Sequence, residues 1–334
     1  MVIIMKLQDI GFYTLSDERA LNSSISTPLW RTELLLTHRC NFKCPYCRGL
    51  RSDCNGDVSC EKAKGVVQYW VDEGLKNVRF SGGEPTLWDG LIDLVDLCNI
   101  NDVERIAIST NGSASREYYD DLVDAGVNDF SISLDGCCSA VGELMSGGAK
   151  CWDRIIDNIT HLSKKTYVNI GMVFTEENIK DCIDMVLFAD SLGVSDIGVI
   201  PSAQYNKALR KLIKIKKKVL DKYPILRYRI NNVKRGNHVR GISANNKCHC
   251  WLAIDDMAVA GGSGKMMHFP CIIHLREGGD PIGEVCETTR QDREKWILNH
   301  NPWEDPICKK NCLDVCVDHN KKASENKIME EVVL

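Results

Sequence analysis

From residue 32 to about residue 220 the chain alternates short β-branched runs with longer amphipathic ones. No other feature of the sequence restricts the fold as strongly. Strands are predicted at 33–37, 77–81, 105–110, 130–134, 168–174 and 196–200. Helices are predicted at 61–73, 91–98, 116–124, 152–164 and 179–192, each with apolar residues three and four apart. Six β-then-α units require parallel strands joined by crossover helices, hence an α/β fold. Periodicity alone leaves both an open doubly wound sheet and a partial barrel available. In the fourth strand Ser131, Ser133 and Asp135 share one face, and Phe130, Ile132 and Leu134 the other. A parallel strand covered on both sides is apolar throughout. The polar face therefore predicts a cavity that holds a polar ligand, or else an edge strand with one wet face.

The chain contains 17 cysteines. An odd number, without a secretion signal, argues against a disulfide scaffold and for metal. The apolar run at residues 1–5 is too short for a signal-peptide core, so a cytoplasmic protein is expected. No apolar run reaches the ~18 residues of a membrane span. The net charge of −4 gives no global reason for nucleic-acid binding. Nine cysteines fall in two groups: Cys40, Cys44 and Cys47, then Cys248, Cys250, Cys271, Cys308, Cys312 and Cys316. The first group reads C-x3-C-x2-C directly after the first strand, at the C-terminal mouth of a βα unit, where α/β proteins place chemistry. Three thiolates in one loop can hold three irons of a [4Fe–4S] cluster and leave the fourth open. Three sulfurs plus His38 could instead make a structural zinc site.

The first group, C-x3-C-x-aromatic-C with Tyr46 as the aromatic residue, resembles the cluster loop of the radical S-adenosylmethionine (radical SAM) superfamily. Ser81-Gly82-Gly83-Glu84-Pro85 at the end of the second strand resembles the family's GGEP motif. The resemblance implies a partial (β/α)6 TIM-like barrel and a [4Fe–4S] cluster on Cys40, Cys44 and Cys47. It also implies S-adenosylmethionine bound through the open iron and cleaved to a 5′-deoxyadenosyl radical that abstracts hydrogen. By the same resemblance Tyr46 packs beside adenine, and the segment Gly82, Gly83, Glu84 and Pro85 receives the methionine amino group. Ser109 and Asn111 on the third strand, with Ser133 and Asp135 on the fourth, line the ribose and carboxylate. Ile200 gives adenine an apolar contact. Glycine makes physical sense where backbone must approach a ligand closely. A reductant such as flavodoxin or ferredoxin is an implied partner.

The later cysteines resemble the SPASM or twitch extensions of radical SAM enzymes, which bind auxiliary iron–sulfur clusters. Cys250, the glycines at 261, 262 and 264, and Pro270-Cys271 fit that outline; the x3/x3 spacing of Cys308, Cys312 and Cys316 departs from it. One auxiliary [4Fe–4S] cluster is therefore expected, on Cys250, Cys271, Cys312 and Cys316 with Cys308 in reserve. Two clusters, or structural zinc, are the alternatives. Periodicity fades after residue 245, so this region is expected to be small and loop-rich, held by metal rather than by an apolar core. The expected organisation is an extension at 1–30, the barrel at 31–205, a basic helix and linker at 206–245, and the auxiliary-cluster region at 246–334.

Residues 205–240 carry thirteen Lys or Arg and one acid, Asp221. The stretch 206–223 is predicted as one helix, with Leu209, Leu212, Ile213 and Val219 as its apolar stripe. It is either a solvated face or a patch for an acidic partner. Cys137 and Cys138, after the fourth strand, are candidate hydrogen-atom donors, against a plain packing role for loop thiols. The substrate is expected to be a small polar molecule such as a sugar, cyclitol or nucleoside, which is oxidised, epimerised or rearranged. Maturation of a ribosomally made peptide is the alternative; many such maturases carry an extra N-terminal leader-binding domain, whereas roughly 30 residues precede the first strand here. The molybdopterin-precursor cyclases end in a Gly-Gly tail where this chain ends Val332-Val333-Leu334. A non-catalytic metal-binding protein would leave the segments resembling SAM contacts without a role.

Overall fold

The computed structural model describes residues 6–333 except 13, 50–53, 55, 203–205, 244, 262 and 263. The turn glycine Gly262, the apolar run at 1–5 and Leu334 thus lie outside the described residues. In chain order the first part runs α1 (Asp17–Asn22), β1 (Arg31–Thr37), α2 (Cys60–Asp72), β2 (Asn77–Gly82), α3 (Leu91–Ile100), β3 (Arg105–Thr110) and α4 (Arg116–Ala125). It continues with β4 (Asp129–Ser133), α5 (Ser139–Met145), α6 (Trp152–Leu162), β5 (Tyr167–Phe174), α7 (Cys182–Ser191) and β6 (Asp196–Pro201). The strands pair in parallel in the order β6-β5-β4-β3-β2-β1. This is the partial (β/α)6 barrel.

Register explains why the sheet holds. Leu34 is level with Phe80, Phe80 with Ile108, Ile108 with Phe130, and Phe130 with Val168. These side chains are fully buried and meet the helices on the outer face, among them Trp70, Leu91, Tyr119 and Ile159. Strand residues one position away point inward: Glu33, Arg79, Ser81, Ser109, Ser133, Asn169 and Gly198 all line interior cavities. Gly171 pairs with Gly198 across β5 and β6, so two inward positions carry no side chain at all. Small and polar residues at these positions leave volume that Val, Ile or Leu would fill in a closed barrel core. β4 is bonded to β3 on one side and β5 on the other, so its polar face is not that of an edge strand.

The second part contains α8 (Lys217–Leu220), α9 (Pro224–Lys234), β7 (Asp256–Ala260), β8 (Met267–Phe269) and α10 (Ile272–Arg276). It ends with β9 (Gly283–Glu284), α11 (Thr289–Asn299), α12 (Pro306–Asn311) and α13 (Asp314–Val333). Two expectations need correction here. The basic stretch 206–223 is not one α-helix: a 3-10 run, Asn206–Lys214, precedes α8. Leu209 and Leu212 in the run and Ile215 directly after it are buried, and that spacing fits three residues per turn. Two of its neighbouring cations also turn inward, since Arg229 pairs with Asp314 and Arg240 donates to the Pro201 carbonyl.

The region after 245 is also more regular than expected. β7 adds in parallel to the free side of β1, with Arg31 level with Asp256 and Leu34 with Val259; β8 and β9 follow antiparallel. On α11 and the described part of α13 the buried residues are mostly polar, so the apolar stripe is weak. On α11 these are Thr289, Arg290 and Arg293 beside Ile297. Arg293 is fully buried and donates to the carbonyls of Ala253, Asp256, Phe269 and Pro270. α13 buries His319 and Asn320, and the Asn320 side chain accepts from Leu252 N at 2.8 Å.

Candidate active site

The loop after β1 is pinned on every side. Thr37 Oγ1 receives the Arg39 amide at 3.0 Å and itself donates to Asp57, which pairs with Arg39 at 2.7 Å. Asn41 donates to Ser113 Oγ and accepts from Asn111 Nδ2, both at 2.8 Å, which ties the loop to the end of β3. Lys43 N donates to the Ser146 carbonyl at 2.9 Å, which ties it to the end of α5. The Tyr46 hydroxyl donates to Asp135 beyond β4. Within this frame Cys40 and Cys47 are exposed and Cys44 half-buried. Burial and the neighbouring Asp135 carboxylate push the Cys44 thiol up to about 12.

All three thiols face one cavity of about 590 Å³. Its walls include Tyr46, Gly82, Gly83, Glu84, Ser109, Asn111, Ser133 and Asp135. Pro85 is buried and starts a short 3-10 turn outside the lining. Ile200 lies on the wall of a second cavity of about 560 Å³. The two cavities share Ser81, Ser109, Ser133 and Arg276.

Glu84 braces this junction. Its buried carboxylate accepts from Thr86 N and Oγ1, Thr110 Oγ1 and Asn111 N, at 3.2, 2.7, 2.6 and 2.7 Å. Burial raises its pKa despite those donors. Asp135, also buried, is pushed up to about 6, and accepts from the Val173 amide at 2.7 Å. The glycines have a reason the sequence did not disclose. Gly82 adopts φ 147°, and a Cβ there would stand 2.4 Å from the Thr37 carbonyl oxygen; one at Gly83 would stand 2.2 Å from that of Arg39. The backbone they admit so closely is that of the cysteine loop itself. Gly83→Ala is therefore expected to push the loop off its seat. Iron retention and 5′-deoxyadenosine formation should both fall, the latter on the order of 100-fold, while the far-ultraviolet circular dichroism stays unchanged.

Zinc on His38, Cys40, Cys44 and Cys47 does not suit this geometry. His38 Nδ1 accepts from Gly56 N at 2.9 Å. Among the described residues these ligand atoms do not come together within 4.8 Å, as a single-ion shell requires. Thiols spread around a cavity suit a larger, multi-iron group.

Cys137 and Cys138 line neither cavity. Cys137 packs against the main apolar core, and burial, followed by the neighbouring Cys138, Asp181 and Asp184, raises its pKa. This placement lends the hydrogen-donor expectation no support. Conversely, Cys248, Cys250, Cys271, Cys308, Cys312 and Cys316 all line the second cavity, opposite the barrel strands. Burial and mutual repulsion raise the thiols of Cys250, Cys308, Cys312 and Cys316.

Sequence reading missed α5, which supplies Glu143, Met145 and Ser146 to the first cavity, and Trp152 beyond it. The signal was weak, since α5 spans seven residues with little apolar periodicity. It also missed Arg276, whose Nη2 donates to the Gly82 carbonyl at 3.0 Å from the far region of the chain.

Residues 34–189 match the family model described as "Radical SAM superfamily". The chain carries a radical SAM domain. Curated relatives include the "Probable GTP 3',8-cyclase" of Sulfolobus acidocaldarius, 26% identical over 171 residues, covering 50% of this chain and 54% of the relative. The "GTP 3',8-cyclase" of Alkaliphilus metalliredigens is 33% identical over 178 residues, covering 50% and 55%. The chain spans about half the length of the curated relatives it matches. Among solved structures, anSMEcpe with bound AdoMet aligns with a TM-score of 0.60 and 16% identity, over 91% of this chain and 98% of that one. Streptococcus suis SuiB bound to precursor peptide SuiA aligns at 0.57 and 18%, over 85% and 66%. At these identities the structural likeness shows the fold. Radical SAM domains use a [4Fe–4S] cluster and S-adenosylmethionine. The three thiols of the β1 loop, with the cavity they face, fit both groups. No helix of the described residues is long and apolar enough to cross a membrane.

Proposed function

We propose that this chain cleaves S-adenosylmethionine reductively and directs the resulting radical onto a small polar molecule held in the second cavity. Cys40, Cys44 and Cys47 would hold the [4Fe–4S] cluster, which would supply the electron for that cleavage and so the radical chemistry that removes a hydrogen atom from the substrate. In this reading residues 31–205 hold S-adenosylmethionine. Tyr46, Gly82, Gly83, Ser109, Asn111, Ser133 and Asp135 form its walls, with Ile200 further along. Residues 246–334 hold an auxiliary cluster on Cys250, Cys271, Cys312 and Cys316, and a small electron-transfer protein such as flavodoxin or ferredoxin is the external donor.

The supporting observation is that the two cavities adjoin, sharing Ser81, Ser109, Ser133 and Arg276 as walls. A molecule in the second cavity has one end near the first cavity and the other near the late cysteines. Between them it meets Arg31, Glu33, Arg79, Asp129 and Asn169, a wall suited to hydroxyl, carbonyl and phosphate groups. About 560 Å³ accommodates a nucleotide or an oligohydroxylated ring. The curated relatives named GTP 3',8-cyclase make nucleotides the first class to try.

The test uses anaerobically reconstituted, dithionite-reduced protein with S-adenosylmethionine and separate panels of nucleotides, sugars, cyclitols and peptides. Stimulated 5′-deoxyadenosine formation, with a mass change in a member of the first three panels, supports the proposal. Stimulation by peptides alone would replace it with peptide maturation.

A further inference from the structure

Six thiols line the second cavity, and five of them, Cys250, Cys271, Cys308, Cys312 and Cys316, lie near one another, whereas a [4Fe–4S] cluster takes four. Cys308 differs from the rest in its company. Its Sγ lies 3.8 Å from His300 Nε2. Asp305 caps α12 by accepting the Cys308 amide on Oδ1 at 2.7 Å, which turns its other oxygen, Oδ2, to within 3.9 Å of His300 Nε2. The ligand atoms of His300, Asp305 and Cys308 all lie within 4.8 Å of one another, the only such trio among the described residues.

That spacing has a chemical meaning. A tetrahedral zinc ion with Zn–S near 2.3 Å and Zn–N or Zn–O near 2.0 Å needs ligand atoms about 3.3–3.7 Å apart. The observed 3.8 and 3.9 Å separations need only a slight contraction to reach it. The donors are imidazole, carboxylate and thiolate, the set that a borderline divalent ion accepts. The site is also held in place. His300 stacks on Trp296, with ring centroids 4.0 Å apart and an angle of 17°, and its carbonyl takes a hydrogen bond from His249 Nδ1 at 3.2 Å. His274 Nε2 stands 3.7 Å from the same Asp305 oxygen, as a second-layer partner that orients a ligating carboxylate would.

We propose that His300, Asp305 and Cys308 form a mononuclear zinc-type site, separate from the iron–sulfur clusters, with its fourth position open to water or to a group of the substrate. Cys308 is then not a ligand of the auxiliary cluster. The proposal does not depend on the radical SAM reading.

The test measures zinc and iron together in holoprotein reconstituted with both metals and desalted. About one zinc per chain is expected. His300→Ala, Asp305→Asn and Cys308→Ala should each lower zinc at least about tenfold, since a three-ligand site loses one donor, while iron and brown colour stay at the wild-type level. Cys271→Ala should do the reverse. X-ray absorption at the zinc edge of the unmutated protein removes any dependence on how the variants fold: one sulfur with two or three nitrogen or oxygen neighbours is expected. Absence of zinc from the wild type, a zinc shell of three or four sulfurs, or loss of about four irons from the Cys308 variant would each overturn the site. Full zinc with no iron at the late cysteines would uphold it and remove the auxiliary cluster instead.

Discussion

Changing Cys40, Cys44 and Cys47 together to Ala is expected to halve the iron of the anaerobically reconstituted chain, from about eight atoms to about four. It should also abolish 5′-deoxyadenosine formation outright. Two other side chains of the loop already have partners: His38 Nδ1 accepts from Gly56 N, and the Tyr46 hydroxyl donates to Asp135. The loop backbone is fixed by Asn41, Lys43 and Arg39 rather than by metal, so the variant should keep its fold and its remaining brown absorbance. A colourless variant would mean that the late cysteines hold no cluster. About twelve irons in the wild type would point to two auxiliary clusters. Loading should weaken as pH falls, because each ligating thiol gives up a proton on binding and burial holds Cys44 at about 12 without metal.

The second large effect is expected from Cys271 and Cys316 changed together to Ala. Iron should again fall to about four, but here the fold should suffer. Cys271 caps α10, its sulfur accepting the His274 amide at 3.4 Å, and Cys316 sits on α13. The elements around them bury Arg290, Arg293, His319 and Asn320 beside only small apolar clusters, so apolar transfer contributes less here than in the barrel. Metal–ligand bonds in such small regions contribute on the order of 10 kcal/mol to folding. A fall in melting temperature of roughly 10 °C or more is therefore expected, with new protease cuts after residue 245. A variant that melted with the wild type would show that the polar network alone holds the region.

The barrel was legible in the sequence because its strands and helices obey one rule each. Strand residues such as Phe80, Ile108 and Phe130 alternate with polar ones, and the helices repeat apolar residues at three and four. The cysteine loop was legible from its spacing together with Gly82-Gly83-Glu84-Pro85, since spacing alone left zinc open. What escaped were elements whose buried face is polar, whose period is not α-helical, or which are too short to show a pattern. α11 turns Arg290 and Arg293 inward, so no apolar period marks it. The 3-10 run Asn206–Lys214 buries residues three apart, which a search for α-helical spacing reads as part of a longer α-helix. β7 is buried at all five positions and too short to stand out from neighbouring loops. Long-range contacts were equally silent: nothing near Arg276 announces that it reaches Gly82.

The pairing of β7 with β1 joins residues more than two hundred positions apart, and it sets an order of events during synthesis. Until residues 256–260 leave the ribosome, β1 has a bare flank of unpaired amides and carbonyls, a template for any other extended chain. Contacts of such long sequence separation form late in folding. The nascent barrel thus passes through a sticky interval that ends only when the last quarter of the chain arrives. A fragment stopped near residue 245 would be held in that interval permanently, and should self-associate at concentrations where the full chain does not.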